Sequence, residues 1–348
     1  MPREIRVIGP RQVALQTYED APLKPDEVRG QGILSGISHG TEMNLYRGTS
    51  AFADNEFDMD LRLFVPRKGP APAGEIGYEW VGRLTEVGAD VHHLKPGDLV
   101  HMLIPHRDTQ TFVPENFPYR GRIEALPAGV TPEQAIILAL AGVALAAVHD
   151  ARIKVGDRVA VFGLGAIGLL AVQLARLAGA GWIDAIDLYP ARRELASRFG
   201  ADRTLDPAAC DVAYEIKTAS DHHGADVAIE LSGHYAALNE AIRSVRMAGT
   251  VVAGGFYQGG ATALRLGEEW HLNRITMVST MAWWECPHRD HPLWNRPRIN
   301  QVVTDLLAAG KLSTDGLISH RFPFARAAEA YELVDRHPED IVKVVLEY

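Results

Sequence analysis

The sequence predicts an α/β protein of two domains: a β-rich, barrel-like domain, then a doubly wound domain built on a parallel sheet. Three observations carry this. Up to about residue 140, short apolar segments are separated by Gly, Pro and Asp, the pattern of short strands and turns. From about residue 141, apolar strand-like runs alternate with helical stretches at the spacing of βαβ units, which implies a parallel sheet with helices on both faces. Between the first of these strands and its helix lies Gly163-Leu164-Gly165-Ala166-Ile167-Gly168.

In chain order, residues 27–30, 32–34, 80–84 and 98–104 read as strands of the first domain. The stretch from about 48 to 73 has little periodicity and several prolines, and reads as a long surface excursion able to line a site. Residues 141–151 read as a helix of small residues. Strands are then expected at 158–162, 182–187, 226–231, 250–254 and 275–280, with a short one near 203–205 making six. Helices are expected at 166–178, 191–199 and 236–246. Residues 283–291 are aromatic, polar and Pro-interrupted, hence a loop. A helix at 299–309 and strands at 317–322 and 341–346 follow, the strands rejoining the first domain. The expected organisation is therefore 1–140, 141–282, and a return over 283–348.

The glycine hexapeptide follows the apolar run 159–162, and nineteen residues past its last glycine a second apolar run ends in Asp187. Strand, glycine turn, helix, strand and acid come in the order a dinucleotide site requires. Gly163 makes the tight turn, Gly165 lets backbone N–H groups approach a pyrophosphate, and Gly168 lets helix and strand pack closely. Ala166 and Ile167 open the helix whose positive end faces the phosphates. Asp187 would accept hydrogen bonds from the adenosine ribose, and a 2′-phosphate there would meet a like charge, so NAD is expected rather than NADP. Arg192 either flanks the adenine or its ribose or is a solvated helix residue. Ser232 and Gly233, ending the fourth strand, are expected beneath the adenosine. Gly255 and Phe256, ending the fifth with Gly254, are expected near the nicotinamide.

Composition narrows the partners. A chain of 348 residues can hold two domains with separate cores. A formal charge of −9 argues against nucleic acid and anionic membrane as partners and leaves a small-molecule substrate. No apolar run is long enough to span a bilayer, and the start Met1-Pro2-Arg3-Glu4-Ile5-Arg6 lacks the core of a signal peptide, so a cytoplasmic location is expected. Two cysteines, Cys210 and Cys286, rule out a disulfide scaffold and a four-cysteine zinc lobe.

The whole arrangement resembles the medium-chain dehydrogenase/reductase superfamily of alcohol dehydrogenases, nearly end to end. The resemblance rests on Gly40-Thr41-Glu42, Gly77-Tyr78-Glu79-Trp80-Val81-Gly82, Val87-Gly88, Pro96-Gly97-Asp98, the glycine fingerprint and Ser319-His320-Arg321-Phe322-Pro323. It implies a GroES-like β-barrel catalytic domain, a Rossmann dinucleotide-binding domain, a C-terminal return, and a homodimer or homotetramer. Matched to the family's zinc enzymes, the catalytic metal site is altered. His39 stands where they carry a cysteine, Tyr78 replaces the histidine of their Gly-His-Glu, and their third ligand falls near Leu140. Only Glu79 is retained, and residues 90–115, where their structural zinc lobe lies, contain no cysteine. No zinc of either kind is expected; the alternative is a nonstandard site using His39, Glu79 and a third ligand elsewhere. Residues 35–42 also resemble a zinc-lacking subgroup that includes bacteriochlorophyllide dehydrogenase-like proteins.

Without a metal, hydrogen-bond donors must stabilise the developing alkoxide. By the resemblance, Tyr78 and His39 occupy the vacated ligand positions, Tyr78 as a donor to the substrate oxygen and His39 as a donor or proton relay. Each also has a plainer role, Tyr78 as a void filler and His39 as a turn residue. Thr41 matches the hydroxyl that links substrate to relay, and it also stands where a helix N-cap belongs. Asn44 stands where some relatives have a relay histidine. Glu79 reads as an interface residue, with direct catalysis the alternative. By the resemblance, Lys343 is expected to reach a phosphate, with an ordinary surface lysine the alternative. His92, His93, His101 and His106 read as surface histidines, and the tryptophans of 283–291 as a sugar-stacking cover or a subunit contact. The implied activity is zinc-independent, NAD(H)-dependent oxidoreduction of a secondary alcohol or ketone, with a polyol, sugar or sugar derivative first. An enoyl or quinone reductase and a non-catalytic NAD-binding sensor are the alternatives.

Overall fold

The computed structural model describes residues 1–52, 54–69, 74–115, 117, 121–281 and 294–348. They divide into two units, Met1–Ile136 with Ile318–Tyr348, and Ile137–Leu317.

The first unit opens with the antiparallel hairpin β1 (Arg3–Gly9) and β2 (Gln12–Thr17). Next come β3 (Val28–Ile37), α1 (Thr41–Arg47), the hairpin β4 (Asn55–Asp58) and β5 (Leu63–Pro66), then β6 (Trp80–Val87), β7 (Leu99–Met102), β8 (Thr109–Phe112) and α2 (Pro132–Ala135). The two runs expected at 27–30 and 32–34 form one strand, β3. Its glycines are absorbed by register shifts against β6 at Arg29/Gly30 and Gly32/Leu34. Val28, Trp80, Leu84, Val100, Met102 and Phe112 bury one face of this sheet. The short α2 is set by a capping box: the Thr131 hydroxyl accepts from the Gln134 N–H at 3.3 Å, and the Gln134 side chain accepts from the Thr131 N–H at 3.0 Å.

The second unit runs α3 (Leu138–Ala151), β9 (Arg158–Phe162), α4 (Ala166–Leu177), β10 (Trp182–Ile186), α5 (Pro190–Arg198), β11 (Arg203–Leu205), α6 (Val212–Thr218), β12 (Ala225–Glu230), α7 (Tyr235–Ser244), β13 (Val245–Ala253), β14 (Thr276–Ser279) and α8 (Arg296–Ala308). The six strands are parallel and lie in the order β11-β10-β9-β12-β13-β14. Strand order reverses between β9 and β12, and in such sheets ligands sit beyond the carboxyl ends of the strands at the reversal. The expected helix at 299–309 belongs to this unit. Ile299, Val303 and Leu307 of α8 are buried, and a Cβ on Gly142 of α3 would stand 3.6 Å from Ile299. The return to the first unit therefore starts at Ile318, not at 283.

That return supplies β15 (Ile318–Pro323), α9 (Ala327–Arg336) and β16 (Lys343–Glu347). β16 runs parallel to β15 and antiparallel to β3, completing the sheet β15-β16-β3-β6-β7, with β8 also paired to β3. Ala327, Ala330, Tyr331 and Val334 of α9 share a core cluster with Ile37, Met43, Tyr46 and Val344. Among the described residues no helix is long and apolar enough to cross a membrane.

Candidate active site and dinucleotide site

In the second unit β9 ends at Phe162 and the chain turns at Gly163, whose φ is +83°. A Cβ there would come within 2.6 Å of the Ser232 nitrogen, and one on Gly168 within 1.8 Å of the Gly163 carbonyl oxygen. These two positions admit only glycine, one for its conformation and both for close approach. Gly165 differs: a Cβ on it would meet nothing within 4 Å. It is the N-cap of the twelve-residue α4 and offers no side-chain cap, so the first-turn N–H groups at Ala166, Ile167 and Gly168 lack a capping side chain. The open space over Gly165 and these donors fit a pyrophosphate.

Asp187 follows β10 and is 8% exposed. Its Oδ2 accepts the Leu164 N–H at 2.7 Å and its Oδ1 the Tyr189 N–H at 2.9 Å. The acid is thus fastened to the glycine loop, and its remaining lone pairs suit hydroxyl donors. Arg192 lies on the first turn of α5. Its Nη1 is 3.7 Å from Asp187 Oδ2, and its guanidinium sits 4.6 Å from the Tyr189 ring centre. Ser232 and Gly233 follow β12, and Gly255 and Phe256 follow β13, with Phe256 42% exposed.

In the first unit β3 runs out into the turn Ser38-His39-Gly40 before α1. Ser38 Oγ lies 2.5 Å from the Tyr78 hydroxyl. The Thr41 hydroxyl also bonds that phenol. The structure thus brings together Tyr78, Thr41 and Ser38, the last not singled out from the sequence. His39 is half-buried on the same turn. Burial raises the Tyr78 pKa well above the usual phenol range, and the neighbouring Glu79 adds to it. The group is a neutral donor at ordinary pH. Thr41 is the first residue of α1 with Gly40 at the N-cap and no side-chain cap, so the expected capping role is corrected; its hydroxyl is engaged by Tyr78.

Beneath this turn lies a polar network the sequence did not reveal. Glu42, 1% exposed, accepts from the Ser38 N–H at 3.0 Å and the Tyr331 hydroxyl at 2.8 Å, and meets His106 Nε2 at 3.0 Å. His106 Nδ1 lies 2.7 Å from Ser35 Oγ, which accepts from the Tyr348 hydroxyl at 2.9 Å. Burial and the Glu42 carboxylate hold the Tyr331 phenol well above its usual range. The surface reading of His101 and His106 is therefore corrected: both are buried. The segment between β7 and β8 is tied inward, with the His106 N–H on the Ile76 carbonyl at 3.0 Å and the Ile5 N–H on the His106 carbonyl at 3.1 Å. His92 is exposed as expected, whereas His93 is half-buried and bonds the Ile123 carbonyl at 3.0 Å.

Glu79 and Lys343 form a buried ion pair. The Lys343 ammonium donates to Glu79 Oε1 at 2.7 Å and to the Ile37 carbonyl at 2.9 Å, and both side chains are essentially inaccessible. Lys343 was expected to reach a phosphate. Its three donors are instead turned inward, and that expectation is corrected. A Cβ on Gly36 would lie 2.5 Å from Glu79 Oε2 and 3.0 Å from Lys343 Nζ, so the strand leaves this space to the pair. Burial pushes the Glu79 carboxyl up to about 7, against the opposing pull of Lys343.

Tetrahedral zinc needs at least three nitrogen, sulfur or carboxylate ligands. The positions expected to supply them hold His39, Tyr78 bonded to Ser38, and Leu140, while Glu79 is committed to Lys343. Among the described residues no three His, Cys, Asp or Glu side chains come together as a metal site. Among the described residues, the donors at these positions fall short of a zinc ligand set. The 283–291 loop and Cys286 lie outside the described residues; Cys210 is half-buried with its thiol 3.4 Å from the Asp206 carbonyl.

Residues 166–285 match the family described as zinc-binding dehydrogenase. The chain is 36% identical over 349 residues to D-guloside 3-dehydrogenase of Escherichia coli (strain K12), covering 98% of this chain and 99% of the relative. It is 27% identical over 339 residues to (R,R)-butanediol dehydrogenase of Bacillus subtilis (strain 168), covering 89% of each. The crystal structure of 2R,3R-butanediol dehydrogenase from Bacillus subtilis matches with a TM-score of 0.78 at 24% identity, covering 100% of both chains.

Proposed function

This chain belongs to the medium-chain dehydrogenase/reductase superfamily, alcohol dehydrogenase-like, and on that premise we propose that it oxidises a secondary alcohol of a sugar or sugar derivative with NAD and without zinc. It would then stand in a zinc-lacking subgroup of the superfamily. The observation that carries the reading is the Tyr78 phenol, held by Ser38 Oγ at 2.5 Å and by Thr41, at the position where a zinc ligand would otherwise stand. The likeness to a D-guloside 3-dehydrogenase over nearly the whole chain supports a sugar glycoside as the substrate class.

The nicotinamide, when bound, supplies the hydride acceptor. The residues of the chain do the rest. The Gly163–Gly168 loop and the first turn of α4 bind the pyrophosphate, and Asp187 accepts the ribose hydroxyls. Tyr78 donates to the substrate oxygen and stabilises the charge that develops there, while Ser38 and Thr41 fix the direction of its O–H. His39 takes or relays the alcohol proton. The trio of hydroxyls favours an enzyme over a sensor that binds the dinucleotide without turnover. A homodimer or homotetramer acting on a small molecule in the cytoplasm completes the proposal; the formal charge of −9 supports a partner other than nucleic acid or membrane.

Initial rates with NAD and NADP on a panel of glycosides, free sugars and polyols test the proposal. NADH should form with a sugar substrate, and NAD should be preferred at least about tenfold, roughly 1.4 kcal/mol. A preference of that size for NADP would overturn the cofactor assignment and favour an enoyl or quinone reductase.

A further inference from the structure

Glu230 is the last residue of β12 and is fully buried. Its Oε1 accepts the N–H of Ser232 at 2.7 Å and the Ser232 hydroxyl. Its Oε2 accepts the N–H of Gly233 at 3.2 Å and the Tyr257 hydroxyl. Its main-chain carbonyl accepts the N–H groups of Gly254 at 2.8 Å and Gly255 at 3.1 Å. One residue therefore ties the loop after β12 to the loop after β13. The packing around it leaves no slack. A Cβ on Gly255 would lie 2.3 Å from the Gly233 nitrogen and 3.0 Å from Glu230 Oε2, and one on Gly163 would lie 2.8 Å from the Ser232 Cβ. Ser232 thus wedges the fingerprint loop as well.

The four donors to this carboxylate are neutral N–H and O–H groups. Burying an acid on such partners is costly, and burial pushes its carboxyl above the usual range in spite of them. A strand end serving stability alone would finish on an apolar side chain, as β9 does on Phe162. The acid's return is order. The N–H groups of Ser232 and Gly233 fall past the end of β12, where its ladder no longer holds them, and need an acceptor.

We infer that Glu230 and Tyr257 are positioning residues for the dinucleotide, a buried latch that holds Ser232, Gly233, Gly255 and Phe256 in the arrangement that receives it. The inference rests on the dinucleotide reading above, but not on the choice between NAD and NADP. The latch acts through the loops it fixes.

Glu230→Gln and Tyr257→Phe test it, with NADH and NADPH titrated by fluorescence, dinucleotide KM set against kcat, and melting recorded without cofactor. Glu230→Gln keeps the volume but turns an amide against the donors of one side. It should raise the dissociation constant and KM for the dinucleotide about tenfold. Melting should stay near the unaltered value, and kcat at saturation should change far less than KM. Tyr257→Phe, which removes one donor, should give a smaller loss of the same kind, and it decides the matter if Glu230→Gln does not fold. Unchanged dinucleotide affinity in a folded variant, or a loss confined to kcat, would overturn the latch while leaving the dinucleotide reading intact. An unaltered chain that binds neither dinucleotide would overturn both.

Discussion

Tyr78→Phe should lower kcat by about 10²–10³-fold, the usual cost of deleting one donor to a developing oxyanion. NAD affinity should not move, because the phenol donates to the substrate oxygen and not to the dinucleotide. The substitution removes one oxygen and leaves the ring, so a role limited to filling space would survive it. The half-buried phenol is suited to donate because its environment refuses the charged form: burial disfavours the phenolate, and Glu79 adds negative charge beside it. It therefore arrives at the reaction with its proton and is not the base. Ser38→Ala should follow in the same direction with a smaller loss, since Ser38 only aims the hydroxyl. Steady-state kinetics together with an NAD titration separate these outcomes. Unchanged turnover in Tyr78→Phe would remove Tyr78 from the chemistry.

The largest effect on stability is expected at the Glu79–Lys343 pair. Lys343→Met leaves a carboxylate buried without its cation, which costs about 3–5 kcal/mol. The size of the loss depends on pH. Burial already raises the Glu79 pKa to about 7 with the lysine present, and without it the pKa rises further. A raised carboxyl is comfortable when protonated, so the variant should lose least near pH 5, and the loss should grow by up to about 1.4 kcal/mol per pH unit as pH rises through 7 towards 8. Glu79→Gln combined with Lys343→Met should recover much of the loss, because no charge is then stranded. Urea unfolding of the unaltered chain, Glu79→Gln, Lys343→Met and the double variant at pH 5 and pH 8 makes the comparison. An equal loss at both, or an NAD affinity that collapses in folded Lys343→Met, would favour the phosphate role over the buried pair.

The parallel half of the chain was legible because its signals are local. The strands at 158–162 and 203–205 fall where β9 and β11 lie, and most other boundaries of that half shift by one to three residues. Asp187 could be chosen because a fixed fold sets its distance from the glycines. The first unit was harder, since its contacts link distant residues: Glu42 meets His106 across 64 positions and Tyr331 across 289, and Glu79 meets Lys343 across 264. No period or spacing announces such pairs. His106, between Pro105 and Arg107, has polar and turn-forming neighbours that suggest the surface; its backbone bonds draw it inside. Helix α9 did carry a signal, since Ala327, Ala330, Tyr331 and Val334 recur at helical spacing and all are buried. The short α6 depends on its cap, with Asp211 accepting from the Tyr214 N–H at 3.0 Å.

Metal analysis of the active protein before and after exhaustive chelation tests most directly whether side-chain hydroxyls do the work of zinc. The account predicts divalent metal far below one ion per chain and a turnover number that survives the chelator. A tightly held, stoichiometric zinc whose removal abolishes turnover and whose return restores it would contradict the account.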